Sequence, residues 1–169
     1  MSLQHSKREA RRGEWRTPKE FWDVVDAEFH FGLDVDNNSS SARTQACISA
    51  GVDALSNEVK WVTSYTPRVW CNPPYSDMLP WVERAGREAM RRRDAVVCLL
   101  APLSAAKWAV FASRVASETR ILHPRLQFEP PPGITASSNS GDNVLYVFRN
   151  LDTTPGRHIW YWEWKGVLL

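Results

Sequence analysis

The chain has little cysteine, little net charge and no long apolar run. Its three cysteines, Cys47, Cys71 and Cys98, show no CxxC spacing. They read as reduced, buried thiols of a cytosolic protein, and no metal site is indicated. No segment is apolar for long enough to cross a bilayer. The basic N-terminus, MSLQHSKREARRGEWR, lacks the apolar stretch that a secretory signal requires. Residues 1–14 read instead as a basic flexible arm, with contact to phosphates as the alternative use. A net charge of +2 is too small to argue for nucleic acid by itself. No repeat or low-complexity block interrupts the chain.

What is present suits one domain over residues 15–169: 169 residues in all, 43% hydrophobic and 24% charged, enough to build a core. TPKEFWDVVDAEF (17–29) predicts a helix, with Thr17 as cap, Pro18 in the first turn, and Phe21, Val24, Val25 and Phe29 at helical spacing. HFGLDVD is a short strand ending in acid. After a loop rich in small residues, RVWC is a strand and MLPWVERAGREAMRRR a helix that carries Arg84, Arg87, Arg91, Arg92 and Arg93. That run reads either as a solvated face or as a phosphate-binding one.

AVVCLLAP is apolar throughout, as a strand buried on both faces is. SAAKWAVFASRVAS is a helix with Ser104 as candidate cap, and TRILH and NVLYVFR are strands. The alternation predicts an α/β domain with a mostly parallel sheet. The Pro/Gly/Ser-rich loop between the last two strands is long enough to be functional or mobile. Nine tryptophans are many for this length. Trp160, Trp162 and Trp164 alternate with Ile159, Tyr161 and Glu163, a period-2 strand with one wide aromatic face for the core or for a dimer contact.

The chemistry concentrates in Asn72-Pro73-Pro74-Tyr75, at the end of the RVWC strand. Neither proline donates a backbone hydrogen bond, and each pushes the preceding residue into extended geometry, so Asn72 and Pro73 are stiffened. Ligands of open α/β sheets bind outside the carboxyl ends of strands, and Asp34 and Asp36 end a strand there too. The lone pair of an amino group on a heteroaromatic ring is delocalised, which makes it a poor nucleophile. Two acceptors, the Asn72 side-chain oxygen and the Pro73 carbonyl held by Pro74, would take both N–H hydrogens and return that lone pair. Tyr75 offers a flat face for the base, a contact of about 1–3 kcal/mol. The device works by orientation and preorganised hydrogen bonding, without a general base. A rigid turn closing a strand is the plainer use of the same four residues.

NPPY after a strand resembles the catalytic motif of amino-group methyltransferases that use S-adenosylmethionine. Trp15 to Pro18, Leu33 to Val35, Val52 to Leu55, Val69 to Trp81 and Arg125 to Phe128 follow in an order similar to the phage-type DNA adenine-N6-methyltransferase family. The resemblance covers residues 15 to 149. It implies a Rossmann-like class I methyltransferase fold, S-adenosylmethionine as cofactor, duplex DNA with a flipped base as partner, and a phage or prophage gene acting in a bacterial cytoplasm. It makes Asn72, Pro73 and Tyr75 the amine acceptors and stacking ring, and Thr17 and Pro18 the holders of the cofactor's methionine part. Asp34 would meet its ammonium, Asp53 its adenine, and Phe128 the flipped base. Arg84, Arg87 and the loop 129–143 are the expected DNA contacts.

Two departures stand out. Val35-Asp36-Asn37-Asn38 replaces the small residues usual after the first acid, and only 18 residues separate Asp34 from Asp53. Little room is left for a second strand ending in a ribose-binding acid, so Asp36 is the fallback for that contact. The alternatives are another planar amine as acceptor (cytosine N4, an RNA base or a protein glutamine) or a nucleic-acid-binding module without catalysis.

Overall fold

The computed structural model describes residues 16–35, 42–48, 51–130, 141–150 and 158–166. The leader, Trp15, Asp36 and residues 131–140 of the long loop lie outside them. Helix α1 (Lys19–Phe29) buries Phe21, Trp22, Val25 and Phe29 along one stripe, as a helical period requires. Pro18 holds the N-cap position, with φ −56° and ψ 136°, and no side chain caps the helix from there. Thr17 is buried, so the expectation that it caps is corrected. Glu129 does the capping, its Oε1 accepting from the Lys19 N–H at 2.8 Å. A carboxylate there satisfies an orphan donor and meets the positive end of the helix dipole.

The remaining elements are β1 (Leu33–Asp34), β2 (Arg68–Cys71), α2 (Leu79–Ala89), β3 (Val96–Pro102), α3 (Lys107–Val115), β4 (Glu118–His123), β5 (Asn143–Arg149) and β6 (His158–Glu163). Helix α2 stops at Ala89, so Arg91, Arg92 and Arg93 lie beyond it. Ser104 accepts from the Ala106 N–H at 3.1 Å, but it lies two residues ahead of Ala106, the N-cap of α3. The strands form one sheet in the order β1-β2-β3-β5-β4-β6. β1, β2 and β3 pair in parallel, β5 is antiparallel to both β3 and β4, and β6 is parallel to β4. Hence β5 alone runs against the other five, and the sheet is mostly parallel.

The continuous apolar run in β3 follows from cover on both faces. Val97, Leu99 and Ala101 join Val82, Ala85 and Ala112 of α2 and α3. Val96, Cys98 and Leu100 join Phe21, Val25 and Phe29 of α1 on the other side. Burial pushes the Cys98 thiol far above its usual range, so it remains protonated and inert. Trp162 of β6 and Trp164 just after it turn inward, their rings 5.9 and 5.2 Å from Phe21. Ile159 and Tyr161 face outward at 62% and 74% exposure.

On the outer edge of β1, Asp34 makes a single parallel bridge with Cys47. Its N–H donates to Ala46 O at 3.0 Å, and its carbonyl accepts from the Ile48 N–H at 3.4 Å. Among the described residues no helix is long and apolar enough to cross a membrane.

Candidate active site

The strand directions put the carboxyl ends of β1, β2, β3 and β4 and the amino end of β5 on one rim. Buried Val69, Trp70 and Cys71 anchor β2, and the chain leaves it directly into Asn72. Asn72 is half-buried, Pro73 buried, and Pro74 and Tyr75 exposed. The Tyr75 hydroxyl donates to Asn72 Oδ1 at 3.1 Å. A carboxamide oxygen has two lone pairs, so a second donor can still be accepted. A phenol titrates at about pH 10, so the Tyr75 hydroxyl is neutral and able to donate near neutral pH.

Phe128 arrives from a different strand end, five residues after β4. Its ring stands edge-on to Tyr75, with centroids 6.5 Å apart and planes at 76°. Between them the two rings present a face and an edge beside Asn72, a shape suited to a flat heteroaromatic.

Asp34 is 2% exposed and pairs across β1–β2 with Trp70, two residues before Asn72. Strand spacing and rise put the backbones of Asp34 and Asn72 about 8 Å apart. Asp34 Oδ2 accepts from the Arg43 N–H at 2.7 Å. The Arg43 side chain reaches back to the residue before the N-cap of α1, where Nε donates to Thr17 O at 3.0 Å and Nη2 contacts the same carbonyl. Nη2 also pairs with Glu129 Oε2 at 2.7 Å. Thr17, Pro18 and Asp34 are thus gathered into one neighbourhood, with Arg43 at its centre. A cleft of about 370 Å³ runs beside β1, lined by Trp22, Asp26, Phe31, Arg43 and Thr44; Asn72 and Tyr75 are not among its walls.

Sequence reasoning passed over Arg43 and Glu129. Arg43 is a lone cation in NNSSSARTQAC, and Glu129 follows Phe128 directly. Neither position carries a local signal, because the partners are 86 residues apart.

The other expected residues divide. Asp53 is exposed, and its Oδ1 accepts from the Leu55 N–H at 2.9 Å, so it shapes a turn in the segment between β1 and β2. Arg87 is exposed on α2. Arg84 is 2% exposed and cannot offer its charge to a phosphate, which corrects its expected role. Its guanidinium donates to Ser56 O at 3.1 Å, contacts Val59 O, pairs with Glu88 at 3.0 Å and lies over the Trp61 ring. Residues 51–62 cover that face of α2, and Arg84 serves as their internal fastener.

A family model described as DNA N-6-adenine-methyltransferase (Dam) matches residues 4–160. The chain belongs to this family. The DNA N-6-adenine-methyltransferase of Haemophilus phage HP1 (strain HP1c1) is 28% identical over 138 residues, 79% of this chain and 77% of that protein. No solved structure matches the chain. The chain is therefore an adenine-specific DNA methyltransferase, which requires a methyl donor and DNA. Its strands place NPPY on the rim where an α/β sheet binds ligands.

Proposed function

We propose that this methyltransferase transfers the methyl group of S-adenosylmethionine to N6 of an adenine flipped out of duplex DNA. Asn72, Pro73, Pro74 and Tyr75 hold the amine and Phe128 lies against the base. The observation that carries the reading is the convergence of Tyr75 and Phe128 beside the Asn72 carboxamide. The fold assignment that accompanies it is a Rossmann-like class I methyltransferase domain over residues 15–169. Five like-directed strands, helices on both faces and a site at the carboxyl rim support it.

The residues present fit the cofactor. An amino-acid zwitterion needs an anion for its ammonium and donors for its carboxylate. Asp34, buried at the rim, and the Arg43 guanidinium beside Thr17 provide both signs of charge. Asp53 is the candidate partner for the cofactor's adenine and Asp36, outside the described residues, for its ribose. When bound, S-adenosylmethionine supplies the electrophilic methyl group.

The chain's own residues prepare the acceptor. The open lone pair of Asn72 Oδ1 and the Pro73 carbonyl take the two N6 hydrogens, which draws the amine toward tetrahedral geometry and restores its lone pair. Tyr75 and Phe128 offset the cost of unstacking the base and keep water from its faces. Arg87, the loop 129–143 and the N-terminal arm are left as contacts to the DNA backbone. DNA of a bacterial host places the reaction in its cytoplasm.

The test is transfer of radiolabelled methyl from S-adenosylmethionine to unmethylated duplex DNA, with digestion to nucleosides. Label should appear in N6-methyl-2′-deoxyadenosine and be lost in Asn72→Ala. Label in a cytosine derivative would overturn the adenine assignment, and retained activity in Asn72→Ala would overturn the site.

A further inference from the structure

We propose that Arg43 is a positioning residue joining the two halves of the site, so that filling the cofactor side sets the placement of Phe128 on the base side. The inference rests on the roles given above to Asp34, Thr17 and Phe128.

Arg43 touches both halves. Its backbone N–H holds Asp34 Oδ2 at 2.7 Å, and its side chain holds Thr17 O through Nε at 3.0 Å. The same guanidinium grips Glu129 Oε2 at 2.7 Å. Glu129 is fixed twice more. Its Oε1 accepts from the Lys19 N–H at 2.8 Å, and its backbone exchanges two 3.0 Å hydrogen bonds with Arg16. Its neighbour in the chain is Phe128, edge-on to Tyr75.

The Arg43 side chain is only 15% exposed, so its charge-assisted bonds are partly shielded from water and geometrically demanding. A ligand ammonium at Asp34, or a carboxylate at the guanidinium, has to be accommodated by the residue that also sets Glu129. Rearrangement on that side therefore reaches Phe128 through one ion pair and one peptide unit. A planar fork suits this duty and an ammonium does not, since two acceptors on two segments, Thr17 O and Glu129 Oε2, are served from fixed directions.

Coupling of this kind is reciprocal, and reciprocity separates it from simple fastening of a loop. The experiment titrates S-adenosylhomocysteine into the full chain by calorimetry, with and without unmethylated duplex DNA. The proteins are wild type, Arg43→Gln, Arg43→Lys, Glu129→Gln and the double variant Arg43→Gln/Glu129→Gln.

DNA should tighten S-adenosylhomocysteine binding by about tenfold in the wild type, a usual size for such coupling. Arg43→Gln, Arg43→Lys and Glu129→Gln should each bring that factor to within about twofold of unity, with no further loss in the double variant. A residue that only stabilises the fold would lower the melting temperature and leave the factor intact; that outcome overturns the proposal. So does a wild type that methylates DNA and binds both ligands without coupling. If Arg43→Gln does not fold, Glu129→Gln, which keeps an acceptor for Lys19, carries the same readout. Failure of the wild type to bind S-adenosylhomocysteine at all would instead overturn the cofactor reading, and this inference with it.

Discussion

The Tyr75 hydroxyl lies 3.1 Å from Asn72 Oδ1 and donates to it. A carboxamide can turn end for end at little cost, and only one orientation offers oxygen to an incoming amine. With the hydroxyl donating, the carboxamide is held in the orientation in which its oxygen is in use. Tyr75 thereby acts twice, as a flat face for the base and as the anchor of the acceptor next to it.

Tyr75→Phe separates these duties. The ring stays and the anchor goes. One ordinary hydrogen bond is worth about 0.5–1.5 kcal/mol, so kcat should fall by roughly two- to tenfold with DNA affinity unchanged. Tyr75→Ala loses the stack too and should weaken DNA binding by a further 1–3 kcal/mol or so. Steady-state kinetics together with direct DNA binding distinguish the two variants. Equal kcat in Tyr75→Phe and wild type would remove the anchoring role.

Phe128 reaches Tyr75 from the far side of the sheet, since β3 and β5 lie between β2 and β4. Phe128→Ala should raise KM for DNA by about tenfold, the loss of one base–aromatic contact. S-adenosylhomocysteine binding to the free protein should be unchanged. Phe128→Tyr should retain most of the activity, as the ring is the functional part. A KM effect on the cofactor rather than the DNA would place Phe128 in the wrong half of the site.

Much of this was legible in the chain, and the boundary is instructive. The RVWC and NVLYVFR strands lie where the apolar runs put them, because strands covered on both faces leave unbroken hydrophobic patterns. The NPPY element is local and stiff, so its place at a strand end follows from sequence. Arg84 was misjudged because helical periodicity separates an apolar stripe from a polar one, whereas residues 51–62 also cover part of the polar side of α2. Arg43 and Glu129 were missed for a related reason. Their pairing exists only once α1, the β1 edge and the segment after β4 have met.

Arg84 and Arg87 sit three residues apart and should behave oppositely. Arg84→Met removes one guanidinium partner of the fully buried Glu88, which keeps Arg91 Nε at 2.9 Å and the Trp61 and Val62 N–H groups, and it takes the donor from the Ser56 and Val59 carbonyls. The loss should therefore lie near the lower end of the about 3–5 kcal/mol that breaking a buried ion pair on one side costs, which thermal or urea unfolding will register. Arg87→Gln should leave the melting temperature alone. If Arg87 meets a phosphate, its removal weakens binding to all DNA sequences alike and reduces the salt slope by about one. A salt slope unchanged in Arg87→Gln would remove it from the DNA interface.

Acid sensitivity should centre on Glu118. Its carboxylate accepts from Arg120 Nε at 2.9 Å and from Arg149 Nη2 at 3.0 Å, linking β4 to β5. Desolvation is the largest single influence and pushes its pKa up. The bonds and charges of Arg120 and Arg149 together outweigh it and hold the group below the usual carboxylate range. A folded-state pKa below the unfolded value means that ionised Glu118 favours the folded chain above the unfolded pKa of about 4.3, and that this contribution is lost as pH falls through the folded value. Glu118→Gln should thus melt lower than wild type at neutral pH, with the gap closing progressively below about pH 4.3. Melting curves of both proteins between neutral and acid pH measure the gap. One that stayed constant with pH would mean that the ion pairs contribute nothing and that Glu118 matters only for its shape.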